Sequence, residues 1–300
     1  MSGERKRSFL RAILITAGIG LFFFVLIFGA AALLSNREHF GGPKMALVKV
    51  DGIISESEEV IEQIHHHLEN PTVRAFVIRI NSPGGGVAAS QEIHEEIKKL
   101  RQDYGKPVVA SLATVGASGG YYIATAADKI VANPGSITGS IGVIIQIPNF
   151  SELLQKVGVR SVVIKSGPYK DLASATRELT PEERELLQRL IDDIHDQFIQ
   201  AVVEGRDLSR EKVEMVADGR ILDGRQALEL GLVDQLGNLQ DAIATAAKLG
   251  NIPGEPQIVQ VEEREFSLLR FLLGSRATAW RQKLLGTQET QVSVDYLWQW

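Results

Sequence analysis

Cysteine is absent from the 300 residues, which excludes disulfides, thiolate zinc sites, cysteine nucleophiles and cysteine lipidation. A nucleophile in this chain must carry oxygen or nitrogen. Histidine is scarce as well: the six are His39, His65, His66, His67, His94 and His195, so none stands between His94 and His195. A basic excess is missing, with 32 Lys and Arg against 37 Asp and Glu and a net charge of −5. Nucleic acid, which is held by clustered positive charge, is therefore not an expected partner. Internal repeats and low-complexity tracts are also missing. What remains reads as a folded chain, 44% hydrophobic and 23% charged, in which 28 Gly against 10 Pro point to tight turns rather than linkers.

One long apolar run breaks the composition. From Ala12 to Leu34 there is no charged residue, and Leu21, Phe22, Phe23, Phe24, Val25, Leu26, Ile27 and Phe28 follow one another without a polar stripe. At about 1.5 Å per residue such a helix spans a hydrocarbon core of about 30 Å. The alternative, a cleaved signal peptide, has an apolar region of about 7–15 residues, and Ala30, Ala31 and Ala32 supply small residues for such a cleavage. Arg5, Lys6, Arg7 and Arg11 precede the run and only Arg37 and Lys44 follow it closely. The charge bias predicts a single-pass anchor with its N-terminus in the cytoplasm and the rest outside. The expected organisation is a basic segment 1–11, an anchor 12–34, a linker 35–44, a main domain 45–250 and an extension 251–300.

From Met45 onward short apolar runs alternate with amphipathic stretches, the pattern of an α/β fold around a mostly parallel sheet. Ala46–Val50, Val73–Ile80, Pro107–Leu112, Lys129–Ala132 and Ser161–Lys165 read as strands; Glu58–Leu68, Ala88–Arg101, Gly119–Ala127 and Ser151–Val157 read as helices. A further helix opens at Thr180, where Pro181 and Glu183 make a capping box, and carries an apolar stripe from Leu186 to Val202. Arg225–Glu229 and Leu239–Leu249 are shorter helices, and Pro253, Gly254 and Pro256 mark a boundary. Ile258–Val261 is an expected strand and Phe266–Leu285 an amphipathic helix.

Two glycine-rich elements follow strands. Asn81, Ser82, Pro83, Gly84, Gly85 and Gly86 lie between a strand and a helix, where backbone amides can face a cleft and hold developing negative charge. A plain strand-to-helix turn would look the same. Gly116, Ala117, Ser118, Gly119 and Gly120 satisfy G-x-S-x-G, which puts a serine on a sharp turn with small neighbours. A serine hydroxyl needs a base. His195, flanked by Asp192, Asp193 and Asp196 in mid-helix, is a poor one, and the run His65–His67 fans around a helix as a polar surface rather than a metal site. A lysine whose neutral form is favoured by desolvation is the remaining type of base.

These residues carry a resemblance. The loop Asn81–Gly86, the segment Gly116–Tyr122, Thr138–Val143, Lys165–Asp171 and Gly231–Asp234 resemble, in order, the motifs of the bacterial signal peptide peptidase A family, also called protease IV. The similarity runs from about Met45 to Gly250, includes the anchor and corresponds to the short, single-copy form. It implies a ClpP/crotonase-like fold of repeated ββα units. It implies Ser118 as nucleophile, Lys170 as general base, Ser140 as the group that orients Lys170, and the amides of Gly85 and Gly119 as the oxyanion hole. Lys165 is then a surface charge. No metal or cofactor is implied. The expected substrates are signal peptides and other unfolded or membrane-derived apolar segments, cleaved at the bacterial cell membrane by a homo-oligomer larger than a dimer. Three other readings compete: a related SohB-like membrane peptidase; a catalytically silent membrane scaffold, if Lys170 is not buried; and a crotonase-like acyl-CoA enzyme, which would need neither the Ser118–Lys170 pair nor an anchor.

Overall fold

A computed structural model describes residues 19–27, 42–261 and 294–297. The chain divides into two compact units, Met1–Pro43 and Lys44–Trp300. In the first, residues 19–27 are helical (α1), with Phe22, Phe23 and Phe24 exposed. The rest of the expected anchor lies outside the described residues. Among the described residues no helix is long and apolar enough to cross a membrane.

The second unit is a mixed α/β sheet. Its backbone of parallel strands runs β9 (Gln257–Val259), β1 (Lys44–Ile54), β2 (Val73–Gly86), β3 (Val108–Ala117), β4 (Lys129–Ala132) and β8 (Gln235–Leu236). Period-two alternation sends successive side chains to opposite faces. Ala46, Val48 and Val50 therefore join Phe76, Ile78 and Ile80 in the larger core, while Met45 and Leu47 join Ala75 and Val77 on the other side. The larger core is closed by α3 (Val87–Gln102), α4 (Gly119–Thr125) and α6 (Pro181–Arg206), the smaller by α9 (Leu239–Leu249). Both faces are covered, which is why β1 and β2 read as nearly continuous apolar runs. The remaining helices are α2 (Glu58–Leu68), α5 (Ser151–Lys156), α7 (Arg210–Glu214) and α8 (Gly224–Glu229).

The ends of β2 and β3 depart from simple parallel order, and this creates the site. β5 (Ile137–Gly139) pairs with the end of β3 and, antiparallel, with β7 (Ile221–Asp223). β2 and β3 part company after Ser82 and Gly116. Beyond that point the freed edge of β2 is taken by β10 (Val294–Leu297), antiparallel, with Tyr296 opposite Gly85; β10 in turn pairs with β6 (Ile144–Ile145). Strands C-terminal to the expected boundary at Gly250 thus belong to the same sheet.

Several expectations hold. The capping box of α6 is formed, Thr180 Oγ1 accepting from the Glu183 amide and the Glu183 carboxylate from the Thr180 amide. Only the later part of its stripe is buried, at Phe198, Ile199 and Val202; Leu190 is exposed. The strand expected at Ser161–Lys165 is not formed. Val162 and Ile164 are 85% and 98% exposed, and β-branched residues without a neighbouring strand make no ladder. The His65–His67 run is not uniformly a polar surface either, since His67 is buried on the core side of α2. The expected helix 266–285 lies outside the described residues.

Candidate active site

Ser118 stands between β3 and α4 in a conformation of φ 53° and ψ −121°. A non-glycine residue is rarely found there, and such strain is held only where surroundings over-determine it. Here its amide donates to Gly139 O at 2.9 Å and its carbonyl accepts from the Tyr122 amide at 2.8 Å. The residue is 1% exposed, and its Oγ is buried with no hydrogen-bond partner. A buried hydroxyl without a partner carries a desolvation cost of about 1–3 kcal/mol, so it calls for a functional account.

The glycines around it are there for space. A β-carbon on Gly85 would lie 2.1 Å from Ile54 O. One on Gly119 would lie 2.5 Å from Ser90 Oγ and 3.3 Å from Gly85 N. The Gly85 amide nitrogen and the first turn of α4, which begins next to Ser118, are therefore close neighbours. The loop is braced by two serines, Ser82 from the motif itself and Ser90 from outside it: Ser82 Oγ accepts from the Gly84 amide at 3.0 Å, and Ser90 Oγ donates to Gly86 O at 3.0 Å. Their only sequence signal was a small polar residue two positions before the glycine run and another four positions after it.

Ser140 follows directly on Gly139, whose carbonyl binds Ser118, so the two serines are brought to one place by the β3–β5 pairing. It is 7% exposed, has φ 51°, and lines a cavity of about 400 Å³ with Val143, Ile144, Ile191 and His195. His195, expected on a solvated face, is half-buried with its Nε2 unpartnered. Lys170 is not brought to the serines. It is exposed, on a turn where its amide donates to Gly167 O at 3.3 Å, and no hydrogen bond joins its ammonium to Ser118 or Ser140. Lys165 is engaged, donating to Asp171 Oδ1 and Pro168 O.

The Gly231–Asp234 segment is a brace rather than part of the site. The buried Tyr121 hydroxyl on α4 donates to Leu232 O at 2.8 Å, and burial raises its pKa above the ordinary tyrosine range. Asp234 accepts from the Ile130 amide and pairs with Arg206 and Lys129.

A strained turn serine beside paired glycine amides at the edge of an α/β sheet is the geometry of acyl transfer by a serine hydrolase. The profile of peptidase family S49 matches residues 100–253. A candidate protease of Synechocystis sp. is 47% identical over 233 residues, covering 77% of this chain and 83% of its own. A candidate signal peptide peptidase A of Enterococcus faecium is 33% identical over 271 residues, covering 86% and 78%. The chloroplastic serine protease SPPA of Arabidopsis thaliana is 37% identical, but the match covers 74% of this chain and 35% of that longer protein. The chain belongs to peptidase family S49, the family to which signal peptide peptidase A belongs.

Proposed function

We propose that the chain is a membrane-anchored serine endopeptidase of ClpP/crotonase-like fold, in which Ser118 is the nucleophile and Lys170 the general base. The observation that carries this reading is the buried, unpartnered Ser118 Oγ on a positive-φ turn next to the Gly85 amide. Neutral Lys170 takes the Ser118 proton as the oxygen attacks a peptide carbonyl. The amides of Gly85 and Gly119 hold the resulting oxyanion, the lysine returns its proton to the leaving amine, and water hydrolyses the acyl-enzyme. Ser140 orients the amine. The Lys170 turn closes over Ser118 in the active state, and assembly into a ring of more than two copies encloses the site and dries it.

An extended peptide suits the freed edge of β2. β10 demonstrates that a strand fits there, one strand's width between Gly84–Gly86 and β6. Signal peptides and other unfolded apolar segments are the proposed substrates, delivered by the membrane that the segment 12–34 anchors. Labelling with a fluorophosphonate followed by peptide mapping tests the reading: the adduct should sit on Ser118 and vanish in Ser118→Ala. An adduct elsewhere, or hydrolysis that survives Ser118→Ala, would overturn it.

A further inference from the structure

The Lys170 turn has little to hold it in place. Residues 157–180 contain no strand, and the bonds from the Lys170, Leu172 and Ser174 amides only close successive tight turns. Asn149 Nδ2 and the Phe150 amide, just before α5, tie it there by donating to Glu178 Oε1 and Ala175 O, and one further side chain ties it to α6. Arg177 grips the Asp171 carboxylate with Nε and Nη2, both at 2.9 Å. The same guanidinium reaches Glu183 in the first turn of α6, Nη1 at 2.7 Å and Nη2 at 2.5 Å. Its two outer nitrogens also donate to Glu178 O and Asp171 O. Glu183 is 3% exposed and Asp171 13% exposed. This planar, doubly bidentate use of the fork is what arginine offers and lysine does not.

The residue so held is the one next to the proposed base. Asp171 is the nearest carboxylate to Lys170 in sequence, and a lysine paired with a carboxylate stays protonated and cannot accept a proton. We infer that Arg177 is a positioning residue for the peptidase reaction, occupying Asp171 so that the adjacent Lys170 amine is left unpaired and free to act as base. The inference rests on the reading of Lys170 as base. Lys165 completes the arrangement by donating to the same Asp171 carboxylate. The charged groups in this cluster are thus Lys165, Asp171 and Arg177 on the loop and Glu183 from α6. Hydrogen bonds from Arg177 first, then Lys165, hold the Asp171 carboxyl far below the usual range, and Arg177 with the Thr180 amide brings Glu183 down to about 2. Both partners therefore stay anionic, and the grip persists at any working pH.

The test follows hydrolysis of an apolar peptide by the full chain across neutral and alkaline pH. Arg177→Gln leaves Lys165 on Asp171 Oδ1 but frees Oδ2, which only Arg177 Nε holds, to pair with Lys170. The acid limb of the rate profile should move up by about half a unit to one unit, a roughly three- to tenfold loss at neutral pH, with KM little changed. Adding Asp171→Asn to Arg177→Gln should return the limb to its wild-type position, and Arg177→Lys, which keeps the charge but not the fork, should move it by less than Arg177→Gln does. A residue that merely stiffens the loop would lower the rate equally at every pH, with an unmoved limb and no rescue by Asp171→Asn; that result overturns the inference alone. Full activity in Lys170→Ala would overturn both the inference and the assignment of the base.

Discussion

Gly119 packs so closely on α3 that a β-carbon added to it would stand 2.5 Å from the Ser90 hydroxyl oxygen. Gly119→Ala should therefore cost about 1–3 kcal/mol of stability by overpacking, read as a lowered denaturation midpoint. It should also depress peptidase activity, because the same β-carbon stands 3.3 Å from Gly85 N. Ser90→Ala in the same chain removes the blocking oxygen and should restore part of the stability but not the activity. Equal recovery of both would mean that the Gly85 amide plays no part in the reaction.

Ser118→Ala and Lys170→Ala should each reduce hydrolysis by about a thousandfold or more while leaving the denaturation midpoint near that of wild type. Lys165→Ala should lose little, since Arg177 still grips Asp171. Ser140→Ala, which removes an orienting group only, should fall between, at about ten- to a hundredfold. A rate in Ser140→Ala equal to wild type would remove that residue from the mechanism.

Acid should weaken the fold through two histidines. Burial brings both His94 and His67 down to about 4, helped by Lys98 beside His94 and by His66 beside His67. Each stays neutral in the folded chain while the unfolded chain protonates near pH 6.5, so the stability present above that value is lost as pH falls toward 4. The loss approaches about 3 kcal/mol per histidine at the lower end. His94→Phe, which keeps a ring against Tyr122, should flatten the slope of melting temperature against pH between those limits. An unchanged slope would show that His94 is not the titrating group.

Residues 294–297 lie along the edge of β2 that a substrate strand would use. A chain ending at Ser293 should show a lower KM for an extended apolar peptide, with kcat little altered, because a tethered competitor has been removed. A higher KM would mean that β10 is a structural strand on which the groove depends.

If the segment 12–34 is the proposed anchor, its charge flanks put everything after about Asn36 outside the cell membrane. Protease added to protoplasts should therefore degrade the second unit. Protection until the membrane is lysed would reverse the orientation and remove the route by which signal peptides reach Ser118.

Local chemistry made much of this protein legible in its sequence. The strands β1 to β4, the capping box of α6 and the turn at Ser118 depend on residues within a few positions of one another, and each stands close to where spacing puts it. The glycines of both loops were legible as a demand for space, because no other residue is tolerated where backbone meets backbone. What covers Gly85, though, is Ile54 on β1, a contact no local pattern announces.

Tertiary structure alone decided the rest. β5, β6 and β8 are two or three residues long, too short to show a period, and exist because partners from distant parts of the chain complete their hydrogen bonds. The Ser161–Lys165 run had the composition of a strand, but a strand also needs a neighbour, and this one found none. Ser118 binds Gly139, the neighbour of Ser140, because β3 pairs with β5. Asp171 stands next to Lys170 in the chain, yet the folded loop gives its carboxylate to Arg177 and Lys165. Sequence specifies which groups can carry a charge or a proton; which of them meet depends on long-range packing, and that packing is where the chemistry of this chain was determined.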